Sequence, residues 1–236
     1  MDSKIICESD FKLRWNVQGL FDNFSVIRNE LELQFASLPA NNTRKQQNLV
    51  KWINQIKKIE DTVHYIKTNK IKEIEKNLDY KFIEPDFVVI AFFQPDSKNL
   101  FAELKSHYSK TGKNFDFEPY LNLDEAAKVL AWIGDSAINL ATTHVIRQPY
   151  ISKVGELAEK RAELVSNKHQ ANLCDEWNLF DLRLGFTTYL DMVNEDNIKH
   201  AKATIIEALF GVIYIESGFD KVISSAIYLK RFWEFI

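Results

Sequence analysis

Apolar residues return every three or four positions along most of this chain, and the stretches that keep the rhythm predict its helices. Between Val17 and Leu38 they fall at Leu20, Phe21, Phe24, Ile27, Leu31, Leu33 and Phe35, an amphipathic helix that stops at Pro39-Ala40-Asn41-Asn42. Thr43 is expected to cap a second helix, in which Leu49, Trp52, Ile56, Ile59, Val63 and Ile66 alternate steps of three and four and so form a seam for a partner helix. The rhythm slips at Thr68-Asn69-Lys70, and Ile71, Ile74 and Leu78 resume it one position later, which predicts a kink or a new helix. Residues 1–72 thus read as a helical hairpin extension that packs onto a main body.

Farther on, Pro85 is placed for the first turn of a helix through Phe87, Val88, Ile90, Ala91 and Phe92, closed by Pro95-Asp96-Ser97. Helical potential returns from Leu100 to Tyr108, before a loop from Lys110 to Pro119. Asn122 or Asp124 is expected to cap the next helix, which continues through Leu140, Ala141 and Val145 to a stop at Gln148-Pro149-Tyr150. A charged helix from Ala158 to Trp177 follows, with apolar contacts at Ala162, Leu164, Val165, Ala171 and Leu173. After a turn around Arg183 to Phe186 comes a long helix from Ile198 to Ser217, with Gly218 as its C-terminal cap, and an aromatic-rich helix from Val222 to Phe235. No strand alternation or internal repeat emerges, so the predicted class is all-α.

Composition agrees with that class: 46% of residues are hydrophobic, and seven Gly and five Pro leave few breakers. Cys7 and Cys174 are too few for a structural zinc site and fit a reducing compartment. The amino-terminal stretch lacks the pattern of a signal peptide, and nothing approaches the roughly 20 apolar residues of a membrane span. The expected location is the cytoplasm, without a membrane partner. The net charge of -3 is unevenly spread: about -2 over residues 1–42, about +4 over 43–80 and about -5 over the remainder. An acidic body with a basic appendage points weakly to a polyanion and equally to a solvated helix face.

Two residues stand out against this background. Asp135 lies in the apolar run Leu130-Ala131-Trp132-Ile133-Gly134-Asp135-Ser136-Ala137-Ile138, and Glu207 in Thr204-Ile205-Ile206-Glu207-Ala208-Leu209-Phe210-Gly211. A carboxylate buried alone costs several kcal/mol or more, so each has to be hydrated, paired or bound to a cation. Small or short neighbours one turn away, Ala131 and Asn139 for the first and Ala203 and Gly211 for the second, leave room for a hydrated ion. Converging carboxylates with open space suit Mg²⁺, with Mn²⁺ as a second choice. His64, His107, His144, His169 and His200 form no spaced ligand pair, and there is no Gly-rich phosphate loop.

The run from Leu130 to Ser136 resembles the signature of ribonuclease III domains, and Glu207 to Phe219 is similar to their final catalytic helix. Leu78 to Phe92 resembles the family's opening helix, and Gly155 through Lys168 its middle segment, so the likeness covers residues 73–236. It implies an all-helical endonuclease domain, a homodimer in which each subunit cuts one strand of duplex RNA, and a socket on the partner that takes Trp132. By the same resemblance Asp135 and Glu207 are the catalytic and metal-binding acids. Ala131 and Thr204 stand where most members carry two further acids. That pattern is similar to Mini-ribonuclease III, which has no double-stranded-RNA-binding domain. Asn167, Lys168 or Arg161 are expected to assist, and the basic helix from Arg44 to Lys76 to supply affinity for structured or double-stranded RNA. The expected function is Mg²⁺-dependent endoribonuclease action in RNA processing. Its rivals are a catalytically silent RNA-binding or scaffold module of the same fold and an all-helical interaction protein that uses the seam from Leu49 to Ile66.

Overall fold

The computed structural model describes residues 17, 19–39, 42–111, 115–147, 153–186 and 194–229. Helices dominate, and among these residues no strand forms. One isolated bridge joins Phe93 to Leu184, held by Leu184 N–H to the Phe92 carbonyl at 2.8 Å and Gln94 N–H to the Leu184 carbonyl at 3.2 Å. Also among the described residues, no helix is long and apolar enough to cross a membrane.

Helix α1 (Phe24–Ala36), entered through a 3₁₀ turn at Leu20–Asn23, pairs with α2 (Thr43–Tyr65). The seam lies on one face as its spacing requires: Leu49, Trp52, Ile56, Ile59 and Val63 are all buried. An ion pair from Arg28 Nε to Glu60 Oε2, 2.8 Å, ties the two helices beside the apolar contact. Thr43 is the first helical residue of α2 and not its cap; Asn42 occupies the cap position and makes no side-chain bond.

At the slip in register the helical backbone continues through a change of winding. Residues Ile66–Lys70 form a π-helical turn that runs directly into α3 (Ile71–Leu78). A π turn takes up one extra residue while keeping the backbone bonded, so Ile71, Ile74 and Leu78 return to the buried face. Its side chains are put to use. Lys67 pairs with buried Asp86 on α4 (Pro85–Ile90), while Lys70, itself buried, bonds Glu73 and the Trp177 carbonyl.

The middle of the chain supplies α5 (Ser97–Thr111) and the single turn α6 (Glu118–Leu121), a short helix that begins in the last two residues of the expected loop. Rings join these elements to the hairpin: Phe24 lies 6.1 Å from Phe101 and 5.4 Å from Tyr120, centroid to centroid, and Phe101 lies 5.2 Å from Tyr120. The Tyr120 hydroxyl donates to the Leu20 carbonyl at 2.8 Å. The buried apolar cluster runs without interruption from Val17 to Leu229.

Helices α7 (Leu123–Ile146) and α10 (Glu195–Ser217) form the most extensive pairing in the fold. The charged segment expected as one helix is two, α8 (Val154–Leu164) and α9 (Asn167–Glu176). Ser166 makes the break, because its Oγ accepts the His169 N–H at 3.1 Å and so starts a new helix. With the chain turned there, Ala162 is exposed instead of packed. Helix α9 lies against α10, and α8 and α11 (Phe219–Ala226) lie against α7. Asn194 caps α10 by accepting the Asp196 N–H at 2.9 Å, and Gly218 ends it with φ 74°. The stop at Gln148 to Tyr150, Cys7 and the end of the last helix beyond residue 229 lie outside the described residues. Cys174 is a buried free thiol on α9, pushed up to about 12 mainly by burial.

The α7/α10 crossing depends on two glycines. A Cβ at Gly134 would sit 1.7 Å from the Glu207 carbonyl oxygen, and one at Gly211 would sit 2.0 Å from the Leu130 carbonyl oxygen. Leu130 opposite Gly211 and Gly134 opposite Glu207 make the helices antiparallel, in backbone-to-backbone contact. Gly134→Ala is therefore expected to destabilise the protein by more than about 3 kcal/mol in denaturant titration, as overpacking against backbone leaves no side chain to yield. Gly155→Ala, where nothing lies within 4 Å, is expected to leave stability unchanged or raise it by up to about 1 kcal/mol.

Candidate active site

The glycine crossing decides where both acids stand. Asp135 follows Gly134, the residue that meets the Glu207 backbone, so the two carboxyl groups come from helices in contact at that point. Asp135 is half-buried. Its Oδ1 accepts from Asn139 Nδ2 at 3.0 Å, and the same amide donates to the Asp135 carbonyl at 2.9 Å. One oxygen is thereby fixed in direction, and the other has no protein donor among the described residues. Glu207 is 9% exposed, and among the described residues no donor reaches its carboxylate. Burial first, and the charge of Asp135 second, push the Glu207 carboxyl up to about 7.

Gly211 does not provide the open space expected beside Glu207. Its missing side chain is occupied by the α7 backbone at Leu130, since a helix crossing closer than about 8 Å needs the Cβ out of the way on both sides. Ala131 is buried. Thr204, one turn before Glu207, is partly exposed, and its hydroxyl donates to the His200 carbonyl at 2.9 Å. Trp132 is 73% exposed on the outer face of α7. Asn167 and Lys168 are exposed on the first turn of α9, and Arg161 is exposed on α8. Among the described residues none of the three bonds to Asp135 or Glu207.

Asn139 was seen in the sequence only as a short neighbour, yet it is the residue that orients Asp135. The four-residue step between an Asp and an Asn on one helix face is the signal that finds it. Glu216, also on α10, is a further, partly buried acid with a structural task. It accepts from the N–H groups of Ile83 and Glu84 at 3.0 and 2.8 Å and from the Tyr80 hydroxyl at 3.0 Å, pinning the entry to α4.

A divalent cation fits the Asp135–Glu207 pair by the chemistry of its donors. Both are hard oxygen ligands, and an acid driven toward protonation by burial and by a second acid lacks a positive charge that a cation would supply. Among the described residues no group of three His, Cys, Asp or Glu assembles, so water would fill the remaining positions, as Mg²⁺ tolerates.

The build is that of an all-helical domain with paired acids on its two central helices. Residues 128–218, which contain both acids, match the family model described as the ribonuclease III domain. It is 23% identical over 210 residues to a ribonuclease 3 of Caenorhabditis briggsae, covering 72% of this chain and 19% of that one. A ribonuclease 3 of Borreliella burgdorferi is 35% identical over 97 residues, 39% of this chain and 38% of the relative. The chain thus spans about a fifth of the nematode relative and under two fifths of the bacterial one. The nuclease domain of a ribonuclease III from Campylobacter jejuni is similar at 21% identity and a TM-score of 0.45, over 67% of this chain and 94% of that one.

Because the folded protein raises the Glu207 pKa above its value in the unfolded chain, folding favours the protonated form. The stability this provides is full near pH 4 and is lost as pH rises through about 7. In the presence of a chelator, Glu207→Gln is therefore expected to raise the melting temperature at pH 8 and to change it little at pH 5. An equal effect at both values, measured by calorimetry, would contradict the placement of this carboxyl.

Proposed function

We propose that this chain is an endoribonuclease that cuts structured or double-stranded RNA with Mg²⁺, or Mn²⁺, held by Asp135 and Glu207. The observation that carries the reading is the meeting of these two acids at the α7/α10 crossing, within the matched ribonuclease III stretch. In this reading residues 1–72 are a helical extension, residues 73–236 carry the ribonuclease III-like domain, and the protein works in the cytoplasm. A bound cation would activate a water and offset charge developing on the phosphate oxygens. Asp135, oriented by Asn139, presents one oxygen outward. Glu207 binds only as the carboxylate, so its affinity for the ion falls as pH drops below about 7. Asn167 and Lys168, exposed on the first turn of α9, would meet the RNA there.

The chain would act as a homodimer joined through the outer face of α7. Val129, Trp132 and Leu140 are exposed there at 39%, 73% and 59%, spaced to share one helix face, whereas the opposite face is core. A two-fold partner would bury the same stripe twice. Trp132→Ala is expected to weaken the dimer more than about tenfold in sedimentation measurements, the effect of losing a central aromatic anchor. A wild-type protein that sediments as a monomer at every concentration would remove this assignment.

A second reading, a catalytically silent module of the same fold that binds RNA or serves as a scaffold, is favoured by Ala131 and Thr204, which supply no carboxylate. The two readings part in one assay. Duplex RNA incubated with the protein should be cut with Mg²⁺ and not with chelator, and Asp135→Asn and Glu207→Gln should each lower the rate more than about a hundredfold, since even residues behind metal ligands cost 10–100-fold. RNA bound by the wild-type dimer but left intact at pH 8 with Mg²⁺ or Mn²⁺ establishes the silent module instead.

A further inference from the structure

Of the basic stretch in α2 and α3, several cations are committed to protein groups. Lys58 donates to the Gly185 carbonyl at 2.8 Å, Lys67 pairs with Asp86, and Lys70 is buried against Glu73 and the Trp177 carbonyl. The amino-terminal end of α2 differs. There a groove of about 770 Å³ opens between α2 and α5, lined by Arg44, Lys45, Lys51 and Lys110, with Asn42 and Asn48 between them. The single carboxylate in its wall, Glu103, is already held by Lys51 Nζ at 3.0 Å and Trp52 Nε1 at 2.6 Å. Arg44, Lys45 and Lys110 have no carboxylate partner among the described residues.

This arrangement costs stability as it stands. The start of a helix carries partial positive charge, which favours acids and disfavours cations, yet the first turn of α2 contains no acid, holds Arg44 and Lys45, and lacks a side-chain cap. Lys110 adds a third charge from across the groove. His107 lies between the two walls, its ring 5.0 Å from that of Trp52, and its Nε2–H donates to Gln34 Oε1 at 2.7 Å. Burial, then the charges of Lys45 and Lys110, hold its imidazole below the usual range. An anion placed in the groove would relieve three unpaired charges and the helix end together.

We propose that the α2/α5 groove binds the phosphate backbone of RNA, as an anchoring site on helices other than the two that carry Asp135 and Glu207. Phosphate and not base is the group recognised: Trp52 is 7% exposed and its N–H is spent on Glu103, which leaves no aromatic platform for a base to stack on. The cations are spread over two helices along an open groove, a layout that follows a strand and does not enclose a single ion. The choice of RNA over free polyphosphate rests on the ribonuclease reading; the charge argument does not.

The test is binding of a labelled duplex RNA to the full chain in chelator, followed by fluorescence anisotropy between 50 and 200 mM salt. Lys45→Gln with Lys110→Gln is expected to weaken binding about tenfold and to lower the salt slope by about 1 to 2, since each lost phosphate contact removes about 0.9. Arg44→Gln alone should lower it by about 1. Lys72→Gln with Lys76→Gln, a charge-matched pair on exposed positions of α3, should change the slope less than the groove pair, with melting temperatures confirming that all variants fold. An unchanged slope in the groove variants, or an equal loss in the α3 pair, overturns the proposal. So does inorganic tripolyphosphate that binds the groove while RNA does not compete for it. Since binding in chelator needs neither carboxylate, a protein that binds RNA through the groove but never cuts it counts against the catalytic reading alone. A protein that cuts RNA with full affinity in the groove variants counts against the groove alone.

Discussion

Two helices that touch through their backbones impose most of what is distinctive in this protein. Where α7 meets α10, Gly134 and Gly211 remove the side chains that would hold the axes apart, and each glycine faces a carbonyl of the opposite helix. Everything at that level is forced close. Asp135, one residue after the contact, and Glu207, whose own carbonyl makes it, stand on backbones that cannot move apart without opening the crossing. The burial that raises the Glu207 pKa is thus a product of packing density.

Burial and the neighbouring charge of Asp135 make ionisation of Glu207 work against stability. Among the described residues Glu207 has no donor to offset its burial, while Glu216, on the same helix, receives two backbone N–H groups and a tyrosine hydroxyl. The two acids show the difference between a partly buried carboxylate with a structural task and a buried one that no protein donor reaches among the described residues. Groups with perturbed pKa values of this kind gather where binding, and not stability, sets the residue. The same imbalance appears with opposite sign at the start of α2, where cations stand at the positive end of a helix with no acid in its first turn.

Between these two places the hairpin is joined to the rest by ordinary means. The stacked rings of Phe24, Phe101 and Tyr120 and the continuous apolar cluster tie α1 and α2 to α5 and α6. The π turn at Ile66–Lys70 keeps α3 in register while sending Lys67 to Asp86 and Lys70 to the Trp177 carbonyl. Basic residues that look alike in the sequence are thereby divided into those consumed by the fold and those left facing a groove.

Local rhythm was enough to read the helices, because a three-and-four spacing of apolar residues has one regular solution and the burial of Leu49 to Val63 on a single face of α2 follows from it. The slip before Ile71 was legible as one extra residue, and Asp135 and Glu207 as anomalies in apolar runs. The short α6, the Ser166 break between α8 and α9 and the π turn were not, since each depends on a single hydrogen-bond choice that competing conformations share. Nor does the sequence tell what its glycines are for: Gly211 reads as space for an ion, and the α7 backbone occupies that space. Spacing along the chain sets which face a residue occupies. Which other helix fills that face, how closely it comes, and so whether a carboxyl is relaxed or under strain, is decided only when the helices pack, because desolvation and charge proximity are properties of the assembled interior.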